Sequence, residues 1–279
     1  SLEWKEQINA FIESNQPDVI LAHVISRKIS PSFLQIAKKK KIPTILKIGS
    51  IFEYDFSLSM LIRKLRLGRW RGVIEHILTI PKKVIQKEYL KKYINLFIVP
   101  SKHTKGWLKE KFDLEEGDIS LLPNPIFWPI ERRKRGNENK KILFVGSVSK
   151  MKGVNFLIKS FLLIEDFFDN IHLEIVGKLK DDEIKDEYSE ENITFSGYVP
   201  HKKIREKYGN SDLFVLPSIV KENSPLTIIE AMSQGTPAIT TNIGGQKELV
   251  KNGKTGFLVE PKNSEDLADK IRLVLEDKK

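Results

Sequence analysis

The sequence contains no cysteine among its 279 residues. That absence excludes a disulfide framework and any metal site built on thiolates, and nothing points to an oxidising compartment. Long apolar runs are missing too, since no uninterrupted stretch approaches the roughly 20 residues that a membrane-spanning helix needs. Residues 1–10 are amphipathic and charged, and they lack the basic start and apolar run of a signal peptide. We therefore expect a cytoplasmic protein.

Acidic residues are scarce in the first half of the chain only. Residues 1–135 hold 26 Lys and Arg against 14 Asp and Glu, a formal charge of +12, whereas residues 136–279 hold 21 against 23, a formal charge of −2. The basic half would be attracted to an anionic surface, either a membrane or a nucleic acid. Its most basic stretch, residues 61–93, interleaves leucines and Trp70 with arginines and lysines.

Two structures fit residues 61–93. A helix lying on an anionic bilayer has this mixture of apolar and basic residues, and so has a helix that packs its leucines on a protein core with its arginines in water. Nucleic acid is the less favoured partner, because no helix-turn-helix, RNA-binding or zinc-ligand pattern accompanies the charge. Membrane contact and core packing stay open as alternatives.

Apolar runs of buried-strand type alternate with segments of helical periodicity along the chain. In the first half the predicted strands are 19–24, 43–48, 94–101 with its end in a turn, and 119–125. The predicted helices there are 2–15, 30–40 and 102–112. After a polar segment at 131–140 the predicted strands are 141–146, 172–176, 193–196, 212–216, 237–241 and 256–259, and the helices are 154–167, 201–208, 225–234, 246–250 and 264–276. Such alternation predicts α/β domains with parallel sheets. We thus predict two doubly wound Rossmann-like domains, in residues 1–135 and 136–279.

One stretch near the C-terminus points to chemistry. Ser224 suits the N-cap of a helix and Pro225 its first turn, so we expect the helix to begin there, with Ser224 facing outward, and to end at Gly235. The free N–H groups at such a helix start form a ready site for phosphate. Glu222 precedes that start and Glu230 follows it, so two carboxylates flank the predicted phosphate site. A phosphate with hydroxyl-bearing groups on either side describes a nucleotide sugar.

Several short motifs of the second half occur in the order of a known family. They are Val145-Gly146, Lys152-Gly153, Gly197-Tyr198-Val199, Phe214-Val215-Leu216-Pro217-Ser218, Glu222 to Glu230, Gly235-Thr236-Pro237, Gly244-Gly245 and Gly256-Phe257-Leu258-Val259. With them the second half resembles the C-terminal domain of a GT-B glycosyltransferase of family 4, the group 1 type. The first half resembles the family more loosely, through Pro17-Asp18-Val19-Ile20, Val99-Pro100-Ser101 and Leu122-Pro123-Asn124.

The resemblance implies a retaining transfer of a hexose-type unit from a UDP- or GDP-sugar to a saccharide or lipid-linked acceptor, with no metal or other cofactor. It implies that Glu222 holds hydroxyls of the transferred sugar, that Lys152 supplies positive charge to the leaving diphosphate, and that Glu230 holds the ribose hydroxyls. Leu226 and Thr227 would then lie along the diphosphate. The further nucleotide-sugar contacts that it implies are Ser147, Tyr198, Val199, Ser224 and Pro225.

Three departures from the family pattern bear on activity. Ser147 stands where members often carry an arginine, so the phosphates would rest on Lys152 and backbone N–H groups, or on Lys150. Gly49 stands where many members carry a histidine that contacts the reacting sugar. The chain also begins after the first β-α units of the family, so we expect an N-terminally shortened protein. Two functions stay open: an active glycosyltransferase, peripheral at the inner membrane face, or a catalytically silent module that binds a nucleotide sugar and serves as a partner or regulatory subunit.

Overall fold

The computed structural model describes residues 2–23, 33–49, 85, 87–130, 139–181, 183–188 and 191–276. The chain divides into two compact units, Ser1–Pro123 and Asn124–Lys279. In the described part of each unit, helices accompany a sheet whose strands are all parallel. The predicted α/β class is therefore confirmed.

The first unit has a four-stranded sheet in the part that the structure describes. Its strands lie side by side in chain order and are β1 (Ile20–His23), β2 (Thr44–Lys47), β3 (Leu96–Val99) and β4 (Ile119–Leu121). Its helices are α1 (Leu2–Asn15), α2 (Phe33–Lys39), residues 87–93, and α3 (Lys102–Phe112). The core forms where Leu46 and Phe97 of the strands pack with Leu34 of α2 and with Leu108 and Phe112 of α3.

The basic stretch 61–93 is described only at residue 85 and at residues 87–93. There Leu90 is fully buried in the core of the first unit, while Ile85 is exposed. The predicted membrane contact depends mainly on residues 61–84, which lie outside the described residues. No described helix combines the length and the apolar character that crossing a membrane requires.

The second unit has a six-stranded parallel sheet in the order β10-β9-β8-β5-β6-β7. The strands are β5 (Lys140–Val145), β6 (Ile171–Val176), β7 (Ile193–Gly197), β8 (Leu213–Leu216), β9 (Ala238–Thr241) and β10 (Gly256–Val259). The helices are α4 (Val154–Leu162), α5 (Glu183–Glu187), α6 (His201–Gly209), α7 (Leu226–Ser233) and α8 (Ser264–Glu276). From β5 the chain first winds toward β7 and then returns to the other side of β5 to wind toward β10. This reversal between β5 and β8 is the topological switch point of a doubly wound sheet.

The boundary between the units falls after Pro123. The composition had suggested a boundary after residue 135. The reason is that the segment Asn124–Pro129 already packs on the second unit. The Asn124 amide donates a hydrogen bond of 3.0 Å to the Ser224 carbonyl, and Gln234 donates one of 3.1 Å to the Pro129 carbonyl. Most of the polar segment 131–140 that marked the predicted boundary lies outside the described residues.

Besides the start of α7, three elements of the second unit differ from the predicted ones. Helix α4 ends at Leu162 instead of residue 167, because Ile164 leaves the helical conformation with its side chain buried, and a short 3₁₀ helix follows at Glu165–Phe167. The predicted helix 246–250 is a 3₁₀ turn, Gln246–Glu248. Helix α5 was not predicted, since its five residues include only one buried apolar side chain and offer no periodicity.

Glu174 of β6 is a buried carboxylate held by cations. Its Oε2 lies 2.7 Å from the Lys141 ammonium, its Oε1 accepts a hydrogen bond of 2.6 Å from the Ser196 hydroxyl, and Lys207 of α6 also pairs with Oε1. Burial by itself would raise the pKa of Glu174, but the hydrogen bonds from Lys141, Lys207 and Ser196 outweigh it and lower the pKa to about 2. The folded protein therefore keeps Glu174 ionised at acid pH values where the unfolded chain takes up a proton.

Replacing Glu174 with glutamine is expected to flatten the pH dependence of the free energy of unfolding in acid. An unperturbed glutamate titrates near pH ~4.3, so between about pH 4.3 and 2 the unfolded wild-type chain binds one proton more than the folded one at this site. Stability then falls by up to about 1.4 kcal/mol per pH unit as the pH drops through that window, and Glu174→Gln removes this contribution. Urea unfolding at several pH values measures the slope. Glu206→Gln, at an exposed position of α6, is the matched control, and an equal slope in Glu174→Gln and the wild type would contradict the assignment.

Candidate functional site

The loops that follow β5 and β8 meet at the switch point of the second sheet. The first loop carries Lys152 and the second carries Glu222, 70 residues later. The Lys152 ammonium lies 2.6 Å from Glu222 Oε1, and the Ser218 hydroxyl donates a hydrogen bond of 2.8 Å to the same oxygen. Both side chains are partly buried, with 27% of Lys152 and 15% of Glu222 exposed. A cation and a carboxylate that were predicted separately thus share one crevice, where ligands of doubly wound sheets bind.

Lys152 stands in a tight turn that its neighbours fix. Ser149 caps the 3₁₀ turn Lys150–Lys152 by accepting a hydrogen bond of 3.3 Å from the Lys152 N–H. Gly153 then adopts a φ of +75°, and a Cβ at that position would lie 2.0 Å from the Pro217 carbonyl oxygen. Only glycine allows the turn to lie this close to the loop after β8, so the backbone at Lys152 is held against the loop that carries Glu222.

Glu230 lies on α7 in a second cluster. Its Oε1 is 3.0 Å from His201 Nε2, and its Oε2 accepts a hydrogen bond of 3.0 Å from the Tyr208 hydroxyl. Burial raises the pKa of Tyr208 far above its usual value, and the Glu230 carboxylate raises it further, so this phenol stays a neutral hydrogen-bond donor. His201 is largely exposed, and the Trp128 ring lies against it with the ring centroids 4.7 Å apart. One carboxylate oxygen is therefore committed to the buried Tyr208, and the other faces an exposed side chain.

The start of α7 differs from the prediction. Pro225, with φ −67° and ψ 120°, is the N-cap, Leu226 is the first helical residue, and no side chain caps the helix. Ser224 is buried rather than facing outward, and its hydroxyl has no hydrogen-bond partner within the described part of the chain. The prediction of Ser224 as an outward-facing N-cap is therefore wrong, because the extended Pro225 delays the helix by one position. The predicted end is confirmed, since α7 stops at Ser233 and Gly235 follows with a φ of +74°.

The remaining predicted residues line the loops around these two clusters. Ser147 is half-buried in the loop after β5, and Thr227 is half-buried in the first turn of α7. Tyr198 is 78% exposed and Leu226 is 46% exposed, so both side chains are accessible. Val199 packs against the core of the second unit. The structure thus joins Lys152 directly to Glu222, while the roles predicted for the other residues stay predictions.

Four further residues complete the two clusters and were not predicted as site residues. Ser218 is the last residue of the family motif that begins within β8 at Phe214, so its position was available as a signal. Gln246 follows the glycine pair Gly244-Gly245, which belongs to the family motifs but was not predicted as part of the site, and its side chain accepts a hydrogen bond of 2.7 Å from the Glu222 N–H. His201 and Tyr208 lie on α6, where no local pattern indicates that they face Glu230.

Known proteins resemble this chain in sequence and in fold. Residues 129–279, more than half of the chain, match the family model of glycosyl transferases group 1. A glycogen synthase of Mycobacterium tuberculosis is 27% identical over 232 residues, which are 80% of this chain and 56% of that protein. The capsular polysaccharide biosynthesis glycosyltransferase CapM of Staphylococcus aureus is 27% identical over 239 residues, 83% of this chain and 59% of CapM. The chain thus spans little more than half the length of these relatives.

A solved structure with a similar fold is Anabaena HepE in complex with UDP and glucose. It superposes with a TM-score of 0.70 at 18% sequence identity, covering 97% of this chain and 72% of that one. At this level of identity the likeness concerns the fold, and it confirms the predicted GT-B type. The family match rests on the second unit, which holds both clusters. The chain therefore belongs to the family of group 1 glycosyl transferases.

Proposed function

We propose that the chain transfers a sugar from a nucleotide diphosphate sugar to an acceptor hydroxyl, with retention of the anomeric configuration, as an enzyme of glycosyltransferase family 4. The observation that carries the proposal is the pairing of Lys152 with Glu222 at the switch-point crevice. Cleavage of the bond between the sugar and the diphosphate develops negative charge on the leaving phosphate oxygen. A fixed ammonium group stabilises that charge more in the transition state than in the bound substrate.

Each cluster has its own part in the proposal. Lys152 binds the diphosphate together with backbone N–H groups at the start of α7, and Glu222 then accepts hydrogen bonds from hydroxyls of the transferred sugar. Glu230 accepts hydrogen bonds from the ribose hydroxyls, while Tyr198 and Val199 lie near the base. Since Lys152 and the helix start supply the positive charge, we propose that the reaction needs no divalent metal. EDTA is then expected to leave the rate unchanged.

The substrate is proposed to be a UDP- or GDP-sugar. The fold neighbour HepE was crystallised with UDP and glucose, which supports testing the uridine nucleotide first. The acceptor is proposed to be a glycan or a lipid-linked saccharide, because the basic stretch 61–93 suits contact with an anionic membrane and CapM acts in capsular polysaccharide biosynthesis. The corresponding location is the inner face of the membrane.

Isothermal titration against UDP-, GDP- and ADP-sugars tests the proposed substrate. Binding of one nucleotide class in the micromolar to millimolar range is expected, since that range spans typical substrate affinities. Turnover of the bound substrate to free nucleotide then reports transfer or hydrolysis, and NMR of the glycoside product reports the anomer. Absence of binding to every member of the panel would overturn the proposal.

A second candidate is a catalytically silent module that binds a nucleotide sugar. It is favoured by Gly49, which follows β2 in the first unit and offers no imidazole to a reacting sugar. Such a module would bind the nucleotide sugar and release no free nucleotide, with or without an acceptor. Any steady release of nucleotide that Glu222→Ala slows would decide for the enzyme.

A further inference from the structure

Glu222 lies in a loop with no helix or strand of its own. The loop, residues 217–224, connects β8 to α7, so no ladder of backbone hydrogen bonds holds it. A carboxylate that must meet sugar hydroxyls needs its backbone fixed, because a misplacement of about 1 Å can lower a rate about 10²-fold. The residues that fix Glu222 are found in the turn after β9, Gly244-Gly245-Gln246, here called the clamp.

The clamp bonds both backbone polar groups of Glu222. The Glu222 N–H donates a hydrogen bond of 2.7 Å to Gln246 Oε1, and the Gly245 N–H donates one of 2.7 Å to the Glu222 carbonyl. The N–H and the carbonyl of Glu222 are thus held by two consecutive residues of the clamp, Gln246 and Gly245. This is the pairing that a β-ladder would give, supplied here on one side by a side chain.

The Gln246 amide is itself fixed in one orientation. Its Nε2 donates to the Val220 carbonyl at 3.2 Å and to the Thr241 hydroxyl at 3.0 Å, and the side chain is fully buried. If the amide were flipped, its NH₂ group would face the Glu222 N–H, and its oxygen would face the Val220 carbonyl. Only the observed orientation therefore satisfies all partners. Thr241 in turn donates a hydrogen bond of 2.6 Å to the Ser218 carbonyl, which ties β9 to the start of the same loop.

Gly244 makes the close approach possible. Its φ is +62°, and a Cβ at this position would lie 2.8 Å from the Lys221 Cα and 2.9 Å from the Glu222 nitrogen. Backbone atoms on both sides leave no room for a side chain. Gly244 therefore lets Gln246 reach Glu222, which is more than a simple turn requires.

We propose that Gln246 is a positioning residue for Glu222 in sugar transfer, an inference that rests on the proposed function. In the structure the Glu222 carboxylate is held by Lys152 and Ser218. When a diphosphate takes Lys152, the carboxylate loses that partner, whereas the clamp acts on the backbone and keeps its bonds. Gln246 then holds Glu222 at the sugar hydroxyls at the moment when the ion pair no longer does.

The test is Gln246→Met, which keeps the length of the side chain and removes its hydrogen bonds. We expect kcat for transfer to fall about tenfold, while the Kd of the free nucleoside diphosphate stays within about twofold. In a Glu222→Ala background the same substitution is expected to lower kcat no further, because the residue it positions is absent. Gln234→Met is the matched control, since Gln234 is an equally buried glutamine whose amide holds Pro129 at the far end of α7.

The amide hydrogen-exchange rate of residues 217–224, followed by mass spectrometry, shows independently of activity whether the clamp holds this loop in place. Faster exchange in Gln246→Met but not in Gln234→Met is expected. The inference is overturned if kcat stays at the wild-type value despite faster exchange, or if Gln246→Met lowers kcat equally in the wild-type and Glu222→Ala backgrounds. If the wild-type chain processes no nucleotide sugar, the proposed function fails, and the positioning role fails with it. The exchange result then still shows whether the clamp exists.

Discussion

Replacing Lys152 with methionine is expected to lower kcat for sugar transfer by about 10²- to 10³-fold. That is the loss measured when one preorganised group that stabilises developing negative charge is removed from an active site, about 2.7–4 kcal/mol of transition-state stabilisation. Methionine keeps most of the apolar stem of lysine, so the change is confined to the ammonium group. The leaving diphosphate would then depend on backbone N–H groups at the start of α7.

The size of this effect follows from how the Lys152 ammonium is placed. Its backbone is fixed by the Ser149 cap and by the contact of Gly153 with Pro217, and its side chain is mostly buried. A flexible surface lysine would lose side-chain entropy each time it bound a phosphate. The ion pair with Glu222 already restricts the Lys152 side chain. Replacing the Glu222 carboxylate with a phosphate as its partner therefore costs little further side-chain entropy.

Two lysines of the same region serve as comparisons. Lys150 was the alternative phosphate ligand, but its ammonium lies 2.5 Å from Glu183 and its N–H bonds Asp181, so we expect Lys150→Met to change kcat less than Lys152→Met. Lys159→Met, at an exposed position of α4, is the neutral control. Steady-state kinetics with saturating nucleotide sugar provide the measurement. Equal losses for Lys150→Met and Lys152→Met would contradict the assignment.

Local patterns in the sequence predicted most of the second unit correctly. Its strands are short apolar runs, of which β8 and β9 are buried at every residue. Its longer helices carry a clear apolar periodicity, so each signal lies within a few residues. The predictions failed where contacts between residues far apart in the sequence determine the structure. The segment Asn124–Pro129 belongs to the second unit because it packs there, and its composition does not reveal this.

The candidate site was predictable in its residues and not in its contacts. Lys152 and Glu222 each stand in a recognisable motif, yet their contact depends on β8 returning to lie beside β5, a pairing of strands about 70 residues apart. Gln246 and His201 reach the site across separate elements, so no spacing along the chain could mark them. Sequence patterns specify which elements form, whereas strand order decides which side chains meet.

Replacing Glu230 with glutamine is expected to raise the Kd of the free nucleoside diphosphate by about 10- to 100-fold. A hydrogen bond to a charged group contributes about 1.5–3 kcal/mol, and each 1.4 kcal/mol changes an affinity about tenfold. Glutamine preserves the fold better than alanine would, because its amide oxygen still accepts from the buried Tyr208 hydroxyl. The new NH₂ group faces His201 Nε2, which accepts a hydrogen bond in the tautomer that carries the proton on the other ring nitrogen.

The two carboxylates are expected to respond differently, and that difference is the sharpest test of their roles. Glu222→Gln should weaken binding of the nucleotide sugar more than binding of the free nucleotide, because Glu222 is assigned to the sugar. Glu230→Gln should weaken both by the same factor, because both ligands contain the ribose. Tyr208→Phe removes the hydrogen bond to Glu230 Oε2 and keeps the carboxylate charge. It therefore separates the effect of losing the charge from the effect of losing that hydrogen bond. If Glu230→Gln binds the free nucleotide as the wild type does, the ribose does not lie at Glu230.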